Sequence, residues 1–218
     1  TDVGFSIINY VGSGGNGTYA HGLGVTPEMV MVKDRTDTAN WAVYHKAVGT
    51  GKYLELNQTD AVTTDSVQFP SVTSTVIGVG VQGDGSITNT DTDNYIAYCF
   101  ASVDGYSKIG KYTGNGSNAG VFVYTGFRPA FIMMKQTAVD DWGIYDNKRT
   151  GQNNDGSAGN SVLYPNANNN EETQASRAID LLSNGFKLRT SNVTFNENNG
   201  TYIYMAFAEQ PFKYANAR

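Results

Sequence analysis

Five blocks of this 218-residue sequence recur in the same order about 102 residues apart. Gly4-Phe5-Ser6 returns as Gly105-Tyr106-Ser107, and each leads to a tyrosine (Tyr10, Tyr112) and a Gly/Asn-rich turn. Gly24-Val25-Thr26-Pro27, with a hydrophobic run ending at Lys33, returns as Gly126-Phe127-Arg128-Pro129 with a run ending at Lys135. Trp41-Ala42-Val43-Tyr44-His45 matches Trp142-Gly143-Ile144-Tyr145-Asp146. Tyr53-Leu54-Glu55-Leu56-Asn57 pairs with Val162-Leu163-Tyr164-Pro165-Asn166, and Tyr95–Ala101 with Tyr202–Ala208. A chain built this way holds two copies of one structural unit, or one sandwich woven from both. The first reading places the boundary near Ser102-Val103-Asp104 and gives repeats 1–103 and 104–218.

The repeated blocks are short β-rich runs separated by turn residues. The chain carries 25 Gly and 22 Asn, with only 16% charged residues. That composition is wrong for a coiled coil or helical bundle, and its 26 aromatic residues argue against disorder. Runs such as Met29–Lys33, Tyr95–Phe100 and Tyr202–Phe207, spaced by turn clusters, predict an all-β protein of two tandem, similar β-sandwich lobes of lectin-like or jelly-roll type. Residues 171–182 have helical period, with Ala175, Ala178, Ile179 and Leu182 on one face and Asn184-Gly185 as a stop. They predict one short helix or helical turn in the second lobe. Cys99, the only cysteine, excludes an internal disulfide and reads as a core residue, since the second copy has Ala206 there. The sequence opens at Thr1 without a signal-like segment, which suggests a processed product or part of a longer chain.

The net charge of −5 disfavours nucleic acid as a partner, and no run is long and apolar enough for membrane insertion. His21 and His45 align with Thr125 or Tyr124 and with Asp146, so neither imidazole is kept in the second copy, and no zinc-ligand spacing or nucleophile elbow is present. The acidic residues lack the paired arrangement of a glycosidase. The chain is therefore read as a non-enzyme without a required cofactor. Calcium is the one metal its loops suggest, through Asp84, Asp91 and Asp93 in oxygen-rich stretches. Trp41, Tyr44 and His45, with Trp142, Tyr145 and Asp146, are candidate ligand-binding residues, because aromatic faces beside hydroxyl-binding groups suit sugars. The same tryptophans at a repeated strand position also suit a core. The Thr150–Asn160 and Asn166–Asn170 stretches, rich in adaptable polar groups, are candidates for an exposed recognition surface.

The pattern Gly-Phe-Ser-Ile…Tyr-x-Gly, then His-Gly-Leu-Gly-x-x-Pro-Glu-Met-Val-x-Val-Lys, Trp-x-Val-Tyr-His and Tyr-Ile-Ala-Tyr-Cys-Phe-Ala, resembles a tandem-repeat module of tail-fibre-like virion proteins of marine and cyanobacterial phages. The second copy continues the likeness through Phe-Arg-Pro-Ala-Phe, Ser-Asn-Gly-Phe-Lys-Leu-Arg-Thr and the closing Tyr-Ile-Tyr-Met-Ala-Phe-Ala-Glu-Gln-Pro-Phe. The resemblance implies a β module on the particle surface, a tail-fibre or appendage part that contacts host surface glycans. A decoration protein binding only other virion proteins is the alternative it leaves open, and a carbohydrate-active enzyme a lesser one. Fibres associate by symmetry, so it also implies a homo-oligomer, most simply a trimer.

Overall fold

The computed structural model describes residues 4–81, 87–149, 153 and 160–210. The chain divides into two compact units, Thr1–Ser102 and Val103–Arg218, and every sheet draws its strands from one of them. The fold is all-β, with antiparallel pairing throughout the described strands.

The first unit contains β1 (Phe5–Val11), β2 (Gly17–Ala20), β3 (Met29–Asp34), β4 (Ala42–His45), β5 (Lys52–Glu55), β6 (Thr63–Thr64), β7 (Val76–Val79) and β8 (Asn94–Phe100). One sheet runs β1-β8-β3-β4-β5-β6 and the other is the pair β2-β7. Strand alternation puts Tyr10, Val30, Val32, Tyr44, Tyr95, Ala97 and Cys99 on the inner face. There they meet Ile77 and Val79 of β7 together with Leu23, Phe69 and Ile87. Cys99 is wholly buried, and burial pushes its thiol up to about 12.

The second unit contains β9 (Ser107–Thr113), β10 (Phe122–Tyr124), β11 (Pro129–Gln136), β12 (Trp142–Asp146), β13 (Asn160–Val162), β14 (Glu172–Gln174), β15 (Ile179–Leu182), β16 (Gly185–Leu188), the single-turn helix α1 (Val193–Asn196) and β17 (Thr201–Ala208). Its sheets are β12-β11-β17-β9, β10-β16-β15 and the pair β13-β14. Tyr112, Ile132, Met134, Tyr145, Tyr202 and Ala206 pack against Val123, Phe186, Leu188, Leu181 and Phe195.

The order β1-β8-β3-β4 is that of β9-β17-β11-β12, register included. Val30 pairs with Tyr44 and Cys99, as Ile132 pairs with Tyr145 and Ala206. Lys33 lies opposite Ile96, and Lys135 opposite Ile203. Both lysines turn their ammonium groups onto the loop that follows. Lys33 Nζ donates to the carbonyls of Asp34 and Asp37, and Lys135 Nζ to those of Gln136 and Ala138. Tyr10 stacks on Tyr95 at 5.0 Å, and Tyr112 on Tyr202 at 4.8 Å.

A second shared device ties the loop after the first strand of each unit to the loop before the last. Gly12 N–H donates to Asp93 O at 2.8 Å and Thr92 N–H to Gly12 O at 3.0 Å. The counterparts run from Gly114 to Gly200 O at 2.8 Å and from Asn199 to Gly114 O at 3.0 Å. A Cβ on Gly12 would sit 1.8 Å from Thr90 O, and one on Gly114 2.2 Å from Glu197 O, so only glycine allows the approach. At its centre a buried asparagine is held through its side-chain amide. Asn89 accepts from Ser13 N–H and Tyr19 O–H and donates to Ser13 Oγ and Gly15 O. Asn196 accepts from Asn115 N–H and donates to Asn115 Oδ1, Ser117 O and Thr190 O.

Over 171–182 the expected short helix or helical turn is reduced to a single turn. The segment is strand β14, one 3-10 turn at Ala175–Arg177 and strand β15, while the helix of this unit is α1, further along. In β15, Ile179 and Leu181 are buried and Asp180 and Leu182 are less so, a period of two. Leu182 pairs with Gly185, so the residues before Gly185 turn a hairpin and do not stop a helix.

Candidate functional site

The loop from β3 to β4 shapes a groove of about 730 Å³ on the first unit, lined by Asp34, Arg35, Thr36, Asp37, Trp41 and Asn57 among others. Trp41 is half-buried just before β4. Its N–H donates to Asn57 Oδ1 at 2.9 Å, and Asn57 Nδ2 in turn donates to Asn40 Oδ1 at 2.6 Å. Its indole stacks on Tyr98 at 6.2 Å and 25°. Trp41 is thus fixed through its backbone and backed by a second ring while its indole still lines the groove. An aromatic wall beside amide, hydroxyl and carboxylate groups suits a hydroxyl-rich ligand whose ring has an apolar face.

The other sugar candidates are placed differently. Tyr44, His45, Trp142 and Tyr145 are buried, Trp142 to 1% exposure and His45 to none. They have no ring face to offer a ligand and act as packing residues, which corrects the ligand-binding reading for those four positions. His45 Nδ1 accepts the N–H of Ala47 at 3.1 Å. Asp146 is taken up locally, accepting the N–H groups of Lys148 and Arg149 and pairing with Arg149 Nε at 2.5 Å. Burial pushes its carboxyl up, but these donors outweigh that and hold it below the usual carboxylate range.

Of the calcium candidates, Asp84 lies outside the described residues, Asp91 is exposed, and Asp93 is buried with no hydrogen-bond partner for Oδ2. Burial, and then the charges of Asp34, Asp37 and Asp91, push the Asp93 carboxyl up. Among the described residues, no three His, Cys, Asp or Glu side chains gather to hold a metal ion. No helix among them is long and apolar enough to cross a membrane.

Most of the Thr150–Asn160 stretch lies outside the described residues. Its Asn153 is bound to the backbone of Leu181 through both amide atoms. In the second stretch, Asn166 accepts the Trp142 N–H at 2.8 Å, as Asn57 does for Trp41, and residues 167–170 are exposed. A polar cleft of about 440 Å³ in the second unit is lined by Ser176, Arg189, Thr190 and Asn192 among others. Two exposed aromatics that the sequence reading did not single out, Phe122 and Tyr124, lie on β10.

The fold and this groove define a tandem β-sandwich protein with a shallow polar and aromatic surface. Over residues 1–211 the chain matches the family described as a domain of unknown function (DUF7483), and it belongs to that family. The match runs across both units, so the family is defined on the pair of repeats. No curated protein matches the chain. No solved structure matches it.

Proposed function

We propose that this chain is a non-enzymatic phage virion protein, a tail-fibre or appendage module that contacts host surface glycans through the Trp41 groove. The observation that carries the glycan contact is the half-buried Trp41 indole, backed by Tyr98, on the wall of a groove with Asn57, Thr36, Asp34 and Asp37. The virion assignment rests on the sequence resemblance and the repeat. In this reading the module needs no cofactor and meets other virion proteins, and homo-oligomers, trimers first, multiply a weak contact by avidity.

The test is a glycan array probed with the wild-type chain and with Trp41→Ala. Binding that falls in the variant at unchanged far-UV circular dichroism supports the groove. Absence of binding to any host glycan, with tight association to the particle, rejects the adhesin reading and favours a decoration protein. Turnover of a host polysaccharide would reject the non-enzymatic one.

A further inference from the structure

The sheet β10-β16-β15 of the second unit has one face on the core and one face to solvent. Val123 points inward opposite Phe186, and both are buried. Its neighbours Phe122 and Tyr124 therefore point outward together, at 46% and 64% exposure. Side chains two residues apart on one strand face stand about 7 Å from each other. Phe122 lies opposite Lys187, which lies opposite Asp180, and Tyr124 lies opposite Gly185. A Cβ on Gly185 would come within 3.0 Å of the Phe122 ring. The ring therefore leans over the glycine and turns its other side to solvent. Polar groups sit alongside, with Arg189 Nη1 pairing with Asp180 Oδ2 at 2.9 Å.

The first unit shows that the fold does not require these rings. In β2, Tyr19 faces Ile77 and stacks on Tyr10 at 4.0 Å, as the inward residue of that strand. The outward positions on either side are Thr18 and Ala20, both exposed. The same edge strand thus closes its sandwich with a threonine and an alanine outside, where the second copy spends two aromatics on solvent. Exposed neighbouring rings on one strand face, one of them over a glycine and both beside an ion pair that offers donors and acceptors, fit the apolar C–H face and the hydroxyls of pyranose rings.

We propose that Phe122 and Tyr124 form a second carbohydrate platform, which stacks a pyranose chain while Lys187, Asp180 and Arg189 meet its hydroxyls. This inference rests on the glycan-contact reading and adds a site to it on the other unit. The test uses the whole chain on an array of β-linked glucose, galactose and N-acetylglucosamine oligosaccharides. The double variant Phe122→Thr/Tyr124→Ala copies the sister strand, and so should fold. It is expected to weaken binding about tenfold or more, while Tyr124→Trp retains it. Trp41→Ala, run in parallel, separates the two sites. Binding lost only in Trp41→Ala removes the platform and leaves the groove, and binding lost only in the double variant does the reverse. The platform is overturned if no oligosaccharide binds the wild type, or if the double variant binds as tightly as the wild type. It is also overturned if that variant alters the oligomeric state while glycan binding stays unchanged, since the rings would then dock protein.

Discussion

Trp41 and Trp142 occupy the same position in two copies of one sheet, and each N–H is held by an asparagine side chain, Asn57 or Asn166. Trp142 is 1% exposed, whereas Trp41 lines a groove. The preceding loops differ in the same sense. Asp34, Arg35 and Asp37 in the first unit correspond by register to Gln136, Thr137 and Val139 in the second, and Val139 is 66% exposed. A shared ladder thus fixes where an aromatic stands, while the loop beside it decides whether it can meet a ligand. Exposed aromatics have moved elsewhere in the second copy, to β10. Conserved scaffold positions are about packing, and the divergence between copies is where binding has room to evolve.

The largest expected effect breaks the comparison at its two tryptophans. Trp142→Ala removes a fully buried indole and is expected to cost about 4 kcal/mol. Trp41→Ala, at a half-buried site, is expected to cost about 1 kcal/mol. Chemical denaturation of both variants decides this, and equal losses would mean that the two sites are not differently packed. The asparagine clasps come next and should behave alike. Asn89→Ala and Asn196→Ala each remove several part-buried hydrogen bonds, at about 2 kcal/mol apiece. A loss under about 1 kcal/mol in either would show that loop to be held by other contacts.

The edge strands differ as the grooves do. β1 and β9 are equivalent outer strands, but β9 carries Lys108 and Lys111, both exposed. β1 has no charge and exposes Ile7 at 51% and Val11 at 56%. Lysines on an edge oppose pairing with another chain, and an uncharged edge invites it. If the chain self-associates, Ile7→Lys is expected to shift native mass spectra toward monomer, with folding stability within about 0.5 kcal/mol of wild type. An unchanged oligomer would place the contact away from β1.

Much of this architecture is legible in the sequence, because a repeat reports registers twice. The matches Lys33/Lys135 and Tyr44/Tyr145 coincide with ladder positions. Asn57/Asn166 lies in turns outside the ladders, and there each asparagine accepts a tryptophan backbone N–H. The first block is less faithful. Gly4-Phe5-Ser6 aligns with Gly105-Tyr106-Ser107 by sequence, but in the sheet Phe5, opposite Phe100, corresponds to Ser107, opposite Phe207. One residue inserted before the strand explains the slip, and only the pairing shows it. Over 171–182 the helical reading holds for one turn only, Ala175–Arg177, because Ala175, Ala178, Ile179 and Leu182 satisfy a helical period although Ile179 and Leu181 satisfy a strand period as well. A short apolar segment does not separate the two. Which aromatics face solvent was not legible at all. Phe122, Val123 and Tyr124 read equally apolar, and only the layer packed on Val123 decides the outward pair.

The smallest effect concerns a carboxylate that the second unit does without. Asp93 corresponds by its clasp bond to Gly200, and its neighbour Asp34 to Gln136, whose Nε2 donates to Glu197 Oε2. Where the second unit has a neutral donor beside an acid, the first has two acids, and Asp93 Oδ2 has no partner. Burial first, and then Asp34, Asp37 and Asp91, raise the Asp93 carboxyl above its unfolded value. The folded state therefore holds this proton more tightly than the unfolded state. Its contribution to stability is fully present below the unfolded pKa of about 3.9 and is lost as pH rises through the folded value. Asp93→Asn removes that loss, so it is expected to melt above wild type at neutral pH, with the gap closing as pH falls toward the acid range. Glu28 and Asp146, whose carboxyls are lowered, push the other way as pH falls, but they do so equally in both chains and cancel in the difference. A variant that melts below wild type at neutral pH would mean that the Asp93 charge is compensated. A calcium titration then sharpens the result, because a cation seated between Asp34 and Asp93 would raise the wild-type melting point and leave the variant's unchanged.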